Sequence, residues 1–62
     1  MAAEINTQWW VIRLFFEGKR FPVVYERWAK DEVDARAVGR AFAATLHKDR
    51  VLERVIVQKS HR

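Results

Sequence analysis

The stretch QWWVIRLFFEGKRFPVVYERW, Gln8 to Trp28, decides the fold. Two runs rich in Trp, Val, Ile, Phe and Tyr flank Gly18-Lys19, and this pattern predicts a β-hairpin. Gly at the first central position of a two-residue turn is what a type II′ turn requires. Setting Glu17 opposite Arg20 pairs Phe16 with Phe21, Leu14 with Val23, Ile12 with Tyr25 and Trp10 with Arg27. The other face then pairs Phe15 with Pro22, Arg13 with Val24, Val11 with Glu26 and Trp9 with Trp28. The first face is almost wholly apolar, and the second mixes aromatic and charged side chains. A slip of one residue would exchange the two faces, so the register is strongly specified.

Working outward, the first strand spans Gln8 to Glu17 and the second Arg20 to Trp28. Pro22 has no N–H to donate, which makes the second strand an edge and leaves the first free to be central. Asp31 is a good N-cap, and Glu32 and Asp34 place negative charge in the first turn of a helix that runs to about His47. Ala35, Val38, Phe42 and Leu46 form an apolar stripe on it. Val33, Ala37, Ala41 and Ala44 form a second stripe of mostly small residues. Glu32 and Arg36 make a favourable i,i+4 pair on the other side, together with Arg40 and His47. Gly39 costs about 1 kcal/mol relative to Ala inside a helix, so close packing is the reason to keep it. A third strand follows over Val51 to Lys59. Either its valines Val51, Val55 and Val57 face the helix, which brings Glu53 with them, or Leu52 and Ile56 do; the valine set is preferred.

These elements predict an α+β fold of order β-β-α-β. The helix must run back across the sheet, so the third strand is antiparallel to the first and pairs with it. The result is a three-stranded antiparallel sheet of order 2-1-3 with one helix on one face, joined by a right-handed crossover. The covered face should carry Trp10, Ile12, Leu14, Phe16, Phe21, Val23 and Tyr25. Residues 1–62 read as a single domain, with 1–7 and 60–62 as loose termini.

A chain of 62 residues with no Cys has neither a disulfide framework nor a Cys-based metal site. Without staples, a domain this small depends on tight packing or on association with another chain. The start, Met1-Ala2-Ala3-Glu4, lacks the basic segment of a signal peptide, and the apolar run Trp9 to Phe16 is far short of the roughly 20 residues of a membrane helix. The expectation is a soluble cytoplasmic protein with no membrane partner. Twelve Lys and Arg against eight Asp and Glu give a net charge of +4, which makes acidic partners plausible. The basic residues are scattered rather than blocked.

Catalytic constellations are missing from the pattern. Ser60 is the only Ser, His47 and His61 lack metal-ligand spacing, and Gly18 and Gly39 are isolated rather than part of a phosphate loop. The expectation is a non-enzymatic protein with no cofactor, no metal and no small-molecule substrate. His47, at a helix end, reads as a surface residue complementing the dipole.

The informative surface is the sheet face turned away from the helix. It should show Trp9, Val11, Arg13, Phe15, Val24 and Trp28, with Glu26 among them. An apolar patch rimmed by charge marks an interface, and Trp and Arg are enriched at binding hot spots. The bland alternative is a Trp9–Trp28 cross-strand pair that only steadies the hairpin, worth about 0.5–1 kcal/mol. The leading expectation is a protein-binding module, a homodimer or a modulator or inhibitor of a larger complex. The runner-up is binding of RNA or single-stranded DNA. Bases would stack on the aromatic rings, and Arg36, Arg40 and Arg54 would sit near phosphates.

In topology the hairpin, the helix start marked by Ala29, Glu32 and Ala35, and the basic approach through Arg50 and Arg54 resemble the β-β-α-β ribosomal-protein domain family called LX. The resemblance implies the topology and assigns no residue a role. In size and charge the chain also resembles small phage or mobile-element proteins that inhibit a host complex.

Overall fold

A computed structural model describes residues 7–60. Of the expected loose termini, residues 1–6 and 61–62 lie outside the described residues. The order is β1 (Gln8–Phe16), β2 (Val23–Ala29), α1 (Glu32–Leu46) and β3 (Leu52–Ser60). β1 is the central strand of an antiparallel sheet of order β2-β1-β3, so the strand carrying Pro22 at its approach is an edge, as expected. Ser60 belongs to β3 rather than to a tail, and it pairs with Trp9.

The hairpin register holds from Gln8↔Ala29 to Leu14↔Val23, including Trp9↔Trp28 and Ile12↔Tyr25. It fails at the turn. The reversal is centred on Glu17-Gly18, closed by the Lys19 N–H donating to the Phe16 carbonyl at 3.1 Å. Gly18 has φ +78° at the third position of that turn, where a type II turn needs a positive φ, instead of at the second as type II′ demands. Lys19 to Pro22 leave the ladder, so the expected pairs Glu17–Arg20, Phe16–Phe21 and Phe15–Pro22 do not form. Phe21, expected in the core, is 74 % exposed. Two features accompany this, one local and one long-range. Pro22 cannot donate to a ladder, and Glu17 turns its N–H to the Val51 carbonyl at 2.8 Å, extending the partnership of β1 with the β3 side.

β3 resolves its own ambiguity with a β-bulge. Phe15 pairs with Arg54 but Phe16 pairs with Leu52, leaving Glu53 as the extra residue. The bulge shifts the alternation by one position. Leu52 can therefore pack against the core together with Val55 and Val57, while Glu53 remains exposed. Neither of the two regular alternatives is correct, and Val51, placed toward the helix by alternation, is 60 % exposed before the strand begins.

α1 starts as its sequence dictates. The Asp31 side chain accepts from the Asp34 N–H at 2.8 Å, and Asp34 reaches back to accept from the Lys30 N–H at 3.0 Å. The covered core joins Trp10, Ile12, Leu14 and Phe16 of β1 with Ala29, Ala35, Ala43 and Val55. The helix line in deepest contact is Ala35, Gly39 and Ala43, flanked by Val38 and Phe42. A Cβ at Gly39 would lie 2.8 Å from Ile12 Cγ2, so the absent side chain is what lets α1 approach the sheet. Leu46, expected in the apolar stripe, is mostly exposed at the last residue of α1.

Candidate functional site

Because α1 covers one face, the alternate residues of each strand line an uncovered one. The ladder pairings arrange them in cross-strand rows. Trp28, Trp9 and Ser60 form the first row; Glu26, Val11 and Gln58 the second; Val24, Arg13 and Ile56 the third; Phe15 and Arg54 the last. The six residues singled out from sequence, Trp9, Val11, Arg13, Phe15, Val24 and Trp28, therefore lie on one continuous surface. Ile56, whose facing was left open by the sequence, joins them.

Side-chain contacts organise this face. Trp9 and Trp28 meet edge-to-face with ring centroids 4.9 Å apart, and Trp9 Nε1 donates to the Glu26 carboxylate at 2.6 Å. Arg13 donates to the Gln58 side-chain carbonyl at 3.3 Å. The Arg54 guanidinium sits 4.5 Å from the centroid of the Phe15 ring. The four β1 residues are half-buried between their neighbours, whereas Trp28 and Val24 keep 57 % and 50 % of their surface open and Ile56 38 %. The result is an ordered apolar surface with its polar groups already oriented.

The arginines expected as phosphate contacts do not all share that surface. Arg54 does, but Arg36 and Arg40 belong to α1 on the other side of the sheet. Arg36 is also committed. It pairs with Glu32 at 2.8 Å and donates from Nη1 to the Val55 carbonyl at 2.8 Å. On β2, Arg27 bonds the Glu26 carbonyl at 2.8 Å while lying over Phe42 and Tyr25 at 5.0 and 5.7 Å. Each edge strand thus has a carbonyl that accepts from a guanidinium.

His47 departs from its reading as a plain surface residue. Its Nε2 lies 2.8 Å from the Tyr25 hydroxyl, and its ring packs 5.0 Å from that of Phe16. The helix C-cap is therefore fastened to the covered side of the hairpin, a link between distant residues that local sequence could not signal. Among the described residues no group of three or more His, Cys, Asp or Glu side chains is placed to hold a metal ion, and no helix is long and apolar enough to cross a membrane. No family model matches the chain, and neither curated proteins nor solved structures yield a match.

Proposed function

We propose that this chain is a non-enzymatic protein-binding module that engages its partner through the open face of the sheet. The observation that carries the reading is the exposure of Trp28, Val24 and Ile56 next to the half-buried Trp9, Val11 and Phe15. An antiparallel sheet facing water is normally polar on that side. A contiguous aromatic and aliphatic patch here is the composition of a hot spot, with Trp28 as the anchor. The half-buried rings are held by neighbours, so little ordering entropy is lost when a partner arrives.

Protein is favoured over nucleic acid by the state of the cations. On the open face Arg13 is bonded to Gln58 and Arg54 lies on Phe15, the ring a base would need for stacking. Glu26 adds negative charge to the same face. The partner is a second copy of this chain or a component of a larger complex that the module would modulate or inhibit.

A photo-crosslinking amino acid in place of Trp28, with the same group at exposed Val33 at the start of α1 as control, tests the reading in the source cell. Light scattering on the purified chain tests self-association beside it. The expected result is a nuclease-resistant protein adduct, to itself or another chain, from position 28 and not from 33. Adducts equal at both positions, or adducts that nuclease removes, would overturn it.

A further inference from the structure

On the helix side of the sheet, at the C-terminal end of α1, Arg40, Ala43, Ala44, Lys48, Arg50 and Leu52 line a groove of about 370 Å³. Three of the six are cations and none is an acid. Among the described residues the one salt bridge is Arg36–Glu32, so Arg40, Lys48 and Arg50 have no carboxylate partner. The floor is apolar: Ala43 is buried, and Leu52 packs on the core. The Arg50 guanidinium lies 5.7 Å from the Phe16 centroid.

We propose that this groove is a second docking site, for an acidic protein segment that carries an apolar side chain among its carboxylates. The argument is charge complementarity joined to a floor that only an apolar group fills well. Two arginines offer the fork geometry that pairs with carboxylates, and the lysine adds a point charge. A nucleic-acid strand fits less well, because no aromatic ring lines the groove for a base to stack on. The site stands independently of the open-face reading, since the sheet separates the two surfaces.

The test uses a fluorescent peptide of alternating glutamates and leucines, its leucine-to-serine counterpart, and a single-stranded RNA of similar length. Anisotropy is read at about 0.15 M salt, where long-range charge effects are largely screened. The exposed pair Arg40→Gln plus Lys48→Gln is compared with Arg20→Gln plus Lys30→Gln, which removes the same charge elsewhere, and circular dichroism checks that both variants fold. The expected result is binding of the leucine peptide, weakened about tenfold or more by the groove variant and less than about twofold by the control. The serine peptide should bind more weakly than its leucine counterpart. Equal loss in both variants, no preference for leucine, tighter binding of the RNA, or no peptide binding up to roughly millimolar concentration would each overturn the proposal.

Discussion

Along β1, Trp10, Ile12, Leu14 and Phe16 alternate with Trp9, Val11, Arg13 and Phe15, and the two sets serve different ends. The first set is buried under α1, with Ile12 and Leu14 at 0 % exposure. The second is half-buried by its strand neighbours, and among the described residues no helix or strand lies above it. Both sets are rich in aromatic and aliphatic side chains, so hydrophobicity alone does not tell them apart. The difference lies in what closes over them. Gly39 lets a helix sit directly on one set, while the other is finished by cross-strand contacts among Trp9, Trp28, Glu26, Arg13 and Gln58. One face packs under the helix, and the other keeps Trp28, Val24 and Ile56 exposed.

The sharpest break in that comparison comes from two adjacent residues. Phe16→Ala should cost about 3–5 kcal/mol, the usual range for truncating a buried Phe, and leave a chain of this size largely unfolded. Phe15→Ala, one residue away and on the other face, should cost about 1 kcal/mol or less, the scale of a cross-strand contact. Urea denaturation of both variants measures the contrast; similar midpoints would mean that the two faces are not energetically distinct.

Next in size is the helix–sheet approach. Gly39→Val should destabilise by about 1–3 kcal/mol through overpacking, because even its Cβ meets Ile12 at 2.8 Å and Val55 at 3.1 Å. Thermal melting followed by circular dichroism reads this directly. A variant as stable as the parent would show that α1 can lift from the sheet without loss.

Much of this was legible beforehand. Pro22 and the return of the helix across the sheet located the sheet order, the two-faced alternation of the hairpin fixed the register from Gln8 to Leu14, and the Asp31 cap marked the helix start. Alternation also placed Trp9, Val11, Arg13, Phe15, Val24 and Trp28 on a common face. What was missed depends on contacts between distant segments. Glycine at position 18 can serve either position of a turn, and the choice fell with the Glu17–Val51 bond to the other side of the sheet. The bulge at Glu53 could not be read from period-two alternation, because a bulge is an interruption of that period. The basic groove was missed for the same reason: Arg40 and Arg50 come together only when α1 and β3 pack.

A smaller effect probes how the helix end is held to the covered face. Tyr25→Phe removes the hydroxyl facing His47 Nε2 and should cost about 1 kcal/mol, the net worth of one side-chain hydrogen bond. The ring stack of Tyr25 on Phe42, with centroids 4.6 Å apart, remains in place. Hydrogen exchange of the amides near His47 should rise while those of β1 stay protected; uniform acceleration throughout the chain would show that this bond does not act locally.

The claim that one face folds the chain while the other binds is tested most directly on Trp28→Ala, with stability and binding measured on the same purified variant. The account predicts a small change in the urea midpoint, worth less than about 1 kcal/mol, because Trp28 is an exposed edge-strand residue. It predicts at the same time a loss of about 2 kcal/mol or more in affinity for the crosslinked partner, or in self-association if the partner is a second copy. Undiminished binding, or a fall in stability as large as the fall in affinity, would contradict it.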